Sequence, residues 1–149
     1  MVTEAPTAAA AELEATLEAL AEVCEDLAPV VYARFFEAHP EARGLFRLDA
    51  RTRGRMLNEI LDVLLELAQA RGYAPAAIEG LAKDHASYGE IPLTLYRGLL
   101  DALLAAMADL LGAGWTPGRE AAWRAQTERL MTVVAGGLAM PGAPARAGG

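Results

Sequence analysis

The sequence predicts an all-α protein on three observations. Hydrophobic residues make up 54% of the 149-residue chain, and most of them are Ala and Leu, which favour helix over strand. Apolar positions recur at three- and four-residue spacing, whereas no segment alternates as a strand would. Proline and glycine divide these runs at intervals that suit helices joined by short turns. We expect one domain over residues 1–140 and a disordered tail, PGAPARAGG, over residues 141–149.

Thr7 marks the start of the first predicted helix, because a threonine side chain can accept a hydrogen bond from the free N–H groups of a first turn. The helix is expected to run to about Val23. Its apolar positions Leu13, Leu17 and Leu20 recur at the spacing of a single helix face. One face of this helix is therefore expected to be buried.

Pro40 separates the second helix from a short third one. The second helix is predicted over residues 26–39, because the residue before a proline avoids the helical region. Pro40 then opens a short turn, PEARGLF, since proline suits a first helical position. The polar segment over residues 47–54 is expected to be a connection with at most one loose turn.

Four further helices follow in the predicted order. The helix over residues 55–71 has a wide apolar face, which implies burial against more than one neighbour. A helix over residues 75–88 ends before a corner marked by glycine and proline. The segment over residues 93–111 is almost uniformly apolar, as expected of a central helix. The last helix is predicted from residue 117 to about residue 136 or 140.

The charge balance excludes several classes of partner. The net charge is −7 with a pI near 4.8, and the 13 Lys and Arg are scattered, which argues against nucleic acids and anionic membranes. Charges interrupt every apolar stretch before it reaches the roughly 20 residues of a membrane helix. The N-terminus lacks the basic region of a signal peptide, and Cys24 has no second cysteine to pair with. We expect a cytoplasmic protein without a membrane partner.

Several segments resemble the globin family in order and spacing. VVYARFFEAHPEARGLF at residues 30–46 is similar to the second and third helices of bacterial single-domain globins and of the globin module of flavohaemoglobins. HASYG with LYRGLLDALLAAMADLLG is similar to the proximal histidine segment, the corner and the seventh helix, and GWTPGREAAWRAQTERLM to the start of the eighth. The resemblance covers about residues 13–138. It implies a globin fold of six to eight helices around a pocket for haem b, iron protoporphyrin IX.

The resemblance makes His85 the proximal haem ligand, with its ring nitrogen bound to the iron. Leu81 and Ile91 fall where globins place apolar haem contacts. Phe46, six residues after Pro40, matches the phenylalanine that packs against the haem ring. Without the resemblance, His85 would be read as an ordinary helix histidine and the three apolar residues as core.

On the distal side, the resemblance aligns Tyr32 with the tyrosine whose hydroxyl points at the bound ligand in many bacterial globins, and Phe36 with an apolar pocket residue. The alternative is an amphipathic tyrosine with its hydroxyl in solvent. An alignment with globins that has no gap in this helix places Met56 at the distal-gate position. An alignment shifted by one residue would place Arg55 at that position instead. Met56 is expected to be an apolar filler, and a bolder hypothesis makes its sulfur a sixth iron ligand.

The remaining pocket candidates are also core candidates. Ile60, Val63 and Leu64 are predicted pocket walls on the distal helix. Tyr96 is the candidate for the proximal tyrosine of flavohaemoglobins, while Leu138 stands where their glutamate is expected, which favours reversible binding over redox chemistry. Four basic residues are candidates to pair with the haem propionates: Arg53, Arg55, Lys83 and Arg97.

The resemblance leaves two activities open for a haem globin. The first is reversible binding of O2 and other diatomic gases such as CO and NO. The second is nitric oxide dioxygenation, in which O2 and NO give nitrate and a separate reductase supplies electrons, because 149 residues leave no room for a flavin reductase domain. The alternatives from other classes are a haem-free globin-like module that binds a protein partner in signalling, and a plain helical-bundle adaptor. A monomer or a homodimer is compatible with the sequence.

Overall fold

The computed structural model describes residues 7–45, 49–69 and 93–139, and all regular secondary structure in these ranges is helical. The elements are α1 (Ala8–Val23), α2 (Leu27–Ala38), α3 (Ala42–Leu45), α4 (Ala50–Gln69), α5 (Leu93–Leu111), a 3₁₀ turn (Gly112–Gly114) and α6 (Pro117–Ala139). The all-α prediction is confirmed. The helix predicted over residues 75–88 and the tail over residues 141–149 lie outside the described ranges.

The first two helices each follow a capping residue, which was predicted for Thr7 but not for Asp26. Thr7 precedes α1, and its side-chain oxygen accepts a hydrogen bond from the Ala10 N–H at 3.0 Å. Asp26 precedes α2 and accepts from the Ala28 N–H at 3.3 Å. At the other end of α2, the His39 N–H donates to the Phe35 carbonyl at 2.8 Å before Pro40. Local capping chemistry therefore sets these boundaries.

The start of α4 differs from the prediction. The helix begins at Ala50 rather than near Arg55, so most of the expected connection is helical. The reason is Asp49, whose carboxylate accepts a hydrogen bond from the Thr52 N–H at 2.8 Å, while its carbonyl accepts one from the Arg53 N–H at 3.0 Å. An aspartate that caps a first turn stabilises helix even where the following residues are polar.

The core lies where the long helices meet. α5 packs against α1, α2 and α6, and α4 packs against α1, α2 and α6. Ten residues of α5 are buried, and its charged side chains face solvent, as expected of a central helix with one water-facing stripe. The wide apolar face of α4 is buried as predicted. Its buried residues are Met56, Leu57, Ile60, Val63, Leu64, Leu67 and Ala68.

The end of α2 approaches α5 closely at Gly98. A β-carbon added to this glycine would lie 2.5 Å from Nε2 of His39, so only glycine allows the histidine ring to occupy its place. The same ring lies 5.7 Å from the ring of Phe35, centroid to centroid. None of the helices over the described ranges is both long enough and apolar enough to cross a membrane.

Candidate functional site

A cleft of about 330 Å³ lies between α2, the start of α4 and α3. Its wall combines small apolar residues, two aromatic rings, two arginines and one aspartate. The lining residues are Asp26, Ala28, Pro29, Tyr32, Ala33, Phe36, Arg43, Ala50 and Arg53. Tyr32 and Phe36 are one helical turn apart on α2, so both face the cleft.

Tyr32 is almost fully buried, with 2% of its surface exposed. Its hydroxyl oxygen is buried and has no hydrogen-bond partner among the described residues. Burial raises the pKa of Tyr32 to about 12, against a smaller lowering by the charge of Arg53. The side chain is therefore a neutral phenol at physiological pH, and its O–H is free to donate to a group that enters the cleft.

The Tyr32 ring is held in place by its aromatic neighbours on α2. Its centroid lies 5.8 Å from that of Phe36 and 6.3 Å from that of Phe35, the latter in an edge-on arrangement. Phe35 is fully buried and Phe36 is 4% exposed. Aromatic pairs at these distances and angles are favourable beyond the area they bury. These ring contacts hold the Tyr32 side chain, and with it the hydroxyl group, in a fixed position.

Two arginines flank Phe36 at the cleft. The guanidinium carbon of Arg53 lies 5.0 Å from the centroid of Phe36 and 5.6 Å from that of Tyr32. The guanidinium carbon of Arg43 lies 5.1 Å from the centroid of Phe36. The sequence offered Arg53 only as a candidate partner of a propionate, in a segment predicted to be a connection. The overlooked signal is Asp49, because its capping of α4 gives Arg53 a helical position facing α2.

The two candidates for the distal gate have different surroundings. Met56 is 4% exposed, belongs to the core and does not line the cleft. Arg55 is exposed. Whether either residue faces the iron stays a prediction.

Ile60 and Tyr96 come together on the other side of α4, in a small apolar pocket of about 20 Å³. The remaining lining residues are Leu99, Leu100, Leu130, Met131 and Val134. Tyr96 is 8% exposed, and burial raises its pKa to about 12. Leu64 is fully buried in the core between α4 and its neighbours but lines neither cavity. The predicted pocket residues of α4 and α5 are therefore buried, in agreement with both a pocket and a core role.

The proximal candidates fall outside the described ranges. These residues are His85, Phe46, Leu81 and Ile91. Their assignment to haem binding stays a prediction. The other histidine, His39, closes α2 and lies 3.6 Å from the carboxylate of Glu41 through its Nδ1 atom.

A model of the globin family matches residues 30–134, more than two thirds of the chain. The chain belongs to the globin family. The matched span includes His85 and six of the residues that line the cleft. These six are Tyr32, Ala33, Phe36, Arg43, Ala50 and Arg53. Membership of this family implies haem-based binding of small gas ligands in general. The all-α architecture with a buried tyrosine at the cleft is consistent with a globin fold.

Proposed function

We propose that this globin holds haem b with His85 as its proximal ligand and binds O2 and other diatomic gases reversibly on the side of Tyr32. The observation that carries the proposal is the buried Tyr32 hydroxyl, which lacks a partner among the described residues. Leaving such a group unpaired costs about 1–3 kcal/mol. A small ligand that accepts a hydrogen bond in the cleft would remove this cost.

The described residues fit one wall of a haem pocket. Tyr32 supplies a single neutral donor, and Phe36 supplies an apolar ring beside it. Met56, Ile60 and Leu64, buried apolar residues farther along α4, are proposed as further contacts with the haem ring. Haem would supply the iron that binds a gas, and the His85 imidazole would hold that iron. Phe46, Leu81, Ile91 and Tyr96 complete the proposed set of contacts with the cofactor.

Tyr32 is the residue proposed to tune gas affinity. Its O–H would donate to a ligand that carries partial negative charge. A hydrogen bond to a charged group is worth about 1.5–3 kcal/mol, which corresponds to about ten- to a hundredfold in affinity. Because the pKa of Tyr32 is about 12, the donor stays protonated throughout the physiological range. Ligands without negative charge would gain less.

We further assign the protein to the bacterial single-domain type, similar to the globin module of flavohaemoglobins, on the segments around Tyr32 and His85. Consumption of NO in the same pocket is the enzymatic alternative. That reaction combines O2 and NO into nitrate and needs one electron for each turnover, which an external reductase would supply. Production of nitrate only when a reductase is added would distinguish it from simple binding.

Absorption spectroscopy with a pair of histidine variants tests the proposal. The purified protein, supplied with haem if necessary, is measured in the ferric state and after reduction with dithionite, with and without CO. We expect a Soret band that shifts with CO, that is lost or weakened in His85→Ala, and that is unchanged in His39→Ala. These are the only two histidines of the chain, so each variant controls for the other. No Soret band after haem addition would reject the proposal in favour of a haem-free module that binds a protein partner.

A further inference from the structure

Basic residues are concentrated in the part of the chain that leads from α3 into α4. Five of the 13 Lys and Arg of the chain fall within residues 43–55, and Asp49 is the one acid in that span. The span therefore carries a net charge of +4 and the rest of the chain −11, which together give the −7 of the whole. So uneven a distribution of charge attracts an acidic partner to one side of the molecule.

Three of these arginines are exposed and form what we call the arginine surface: Arg43, Arg51 and Arg55. Arg51 and Arg55 are one helical turn apart on α4, so their side chains project from the same face. The guanidinium of Arg43 lies over the ring of Phe36, in the wall of the cleft that Ala50 also lines. The arginine surface therefore adjoins the cleft in which the gas is proposed to bind.

The arginine surface has no salt bridge to a carboxylate within the described ranges. Arginines elsewhere do pair, as Arg97 does with Glu128 at 2.7 Å. The pKa of Asp49 is lowered chiefly by its capping hydrogen bonds and to a smaller extent by the charges of Arg51 and Arg55. Two like charges one turn apart destabilise a helix. The stability of α4 therefore does not explain the presence of both arginines.

The charge of the rest of the chain indicates which class of anionic partner fits the arginine surface. With −11 outside residues 43–55, the molecule repels nucleic acids and anionic membranes, which are extended and would also approach its other surfaces. A folded protein with a local acidic patch can contact the arginine surface alone. Its approach in other orientations is disfavoured, because like charges would then meet.

We propose that the arginine surface docks an acidic flavoprotein that donates electrons to the haem iron. The assignment rests on the proposed haem function and names the chemistry of its external reductase. O2 binds to ferrous iron, so each oxidation of the iron, including the one that ends NO consumption, calls for one electron. The reduced flavin of the partner loses that electron, and the ferric iron gains it. Redox encounters of this kind use small interfaces that are steered by charge.

Reduction rates of the ferric protein with two electron donors test the assignment. The donors are photoreduced flavodoxin, a small acidic flavoprotein, and photoreduced riboflavin, which has the same ring without a protein surface. The Soret band under CO reports the ferrous protein. We compare two double variants that remove equal charge: Arg51→Gln with Arg55→Gln, and Arg34→Gln with Arg124→Gln, whose arginines pair with carboxylates elsewhere.

The measured quantity is the ratio of the flavodoxin rate to the riboflavin rate at low ionic strength. We expect this ratio to fall about tenfold in the double variant of the arginine surface, because charge steering of the flavodoxin is lost. The ratio should stay near the wild-type value in the variant of Arg34 and Arg124. Equal losses in both double variants, or no loss in either, would overturn the proposal.

Salt and single variants give two further readouts. The wild-type rate with flavodoxin should fall as the ionic strength rises, and the double variant of Arg51 and Arg55 should show a weaker dependence because fewer charges remain to be screened. Arg51→Gln alone should lose less than the double variant. Arg51→Lys keeps the charge and should retain most of the wild-type rate. A rate with flavodoxin that is independent of salt in the wild type would count against docking by charge.

The outcomes distinguish this proposal from the function beneath it. A wild-type protein without a Soret band after haem addition overturns the haem function, and the delivery of electrons with it. A normal Soret band with an unchanged ratio in the double variant of Arg51 and Arg55 overturns only the docking surface. Binding of a DNA duplex that depends on these two arginines, with that ratio unchanged, would assign the surface to a polyanion instead. If the double variant does not fold, judged by circular dichroism, Arg51→Gln and Arg51→Lys provide the comparison.

Discussion

The Thr7 hydroxyl donates a hydrogen bond to the carbonyl oxygen of Ala68 at 2.7 Å, across 61 positions of the chain. The Thr7 hydroxyl oxygen in turn accepts a hydrogen bond from the Ala10 N–H at the start of α1. One side chain therefore caps α1 and ties it to the last turn of α4. We expect Thr7→Ala to lower the free energy of unfolding by about 1–2 kcal/mol, measured by urea denaturation.

Two further variants separate the contribution of the Thr7–Ala68 hydrogen bond to stability from that of the helix cap. Thr116 caps α6 by accepting from the Arg119 N–H at 3.2 Å and makes no long-range hydrogen bond within the described ranges, so Thr116→Ala should cost less than Thr7→Ala. Thr7→Ser keeps the hydroxyl and should retain most of the stability. Equal losses in the two alanine variants would show that the hydrogen bond to Ala68 contributes nothing measurable.

Gly98→Ala should destabilise the protein because its β-carbon would meet the His39 ring at 2.5 Å. The ring would have to turn away from Phe35, which it contacts, and we expect a loss of about 1 kcal/mol, at the low end for overpacking. Gly54→Ala is the control, because nothing lies within 4 Å of its added β-carbon and alanine favours helix by about 0.5–1 kcal/mol.

The double variant His39→Ala with Gly98→Ala tests the cause of that loss. With the ring removed, the added methyl group meets no obstacle from His39, so the effect of Gly98→Ala should largely disappear. Thermal unfolding of the four proteins gives the coupling free energy between the two positions. Additive effects would place the strain elsewhere in the contact between α2 and α5.

Capping and punctuation explain which parts of the fold could be predicted. Thr7, Asp26 and Pro40 act on the backbone within a few residues, so their effects are readable from local sequence. The predicted start of α4 was wrong because the residues after Asp49 are polar. A polar segment is interpreted as a loop unless the aspartate before it is recognised as a helix cap. In each of these cases, hydrogen bonds and backbone geometry within a few residues are sufficient to set the helix boundary.

The candidate site could be predicted only in part, because its decisive features are contacts between helices. A family resemblance singled out Tyr32 and Phe36 on α2, and the structure brings both to one cleft. The position of Arg53 over these two rings depends on how α4 crosses α2 and on where α4 begins. The missing hydrogen-bond partner of the Tyr32 hydroxyl is likewise a property of the packed state.

Glu120 should make stability depend on pH in the acid range. Its carboxylate accepts hydrogen bonds from the Trp115 indole N–H at 2.7 Å and from the Arg124 Nε at 2.9 Å, and both lower its pKa below the usual 4.5. A lowered pKa in the folded state means that the stabilisation is present above pH 4.5 and is lost as the pH falls through the folded value.

Unfolding free energies of wild type and Glu120→Gln, measured between pH 3 and pH 7, test this dependence. The wild type should be the more stable protein above about pH 4.5, and the difference should close as the pH falls below it. Trp115→Phe removes the first donor and should reduce the pH-dependent part of the difference. Parallel pH profiles for wild type and Glu120→Gln would show that the two hydrogen bonds do not contribute.

Tyr32→Phe should have opposite effects on the empty and the ligand-bound protein. Without a ligand, the variant removes a buried hydroxyl that has no partner among the described residues, so the free energy of unfolding should stay constant or rise by up to about 1–3 kcal/mol. With haem and O2, it removes the proposed donor, and O2 should dissociate about ten- to a hundredfold faster. CO carries less negative charge than O2 when bound, so its dissociation rate should change less.

The sign of the stability change decides what Tyr32 does. A tyrosine that served only the core would lose stability on conversion to phenylalanine and would leave the ratio of O2 to CO dissociation rates unchanged. A tyrosine kept for a ligand tolerates the loss of its hydroxyl in the empty protein, because the cost of burying that group unpaired disappears with it. Denaturation of the haem-free protein and flash photolysis of the haem protein measure the two quantities independently.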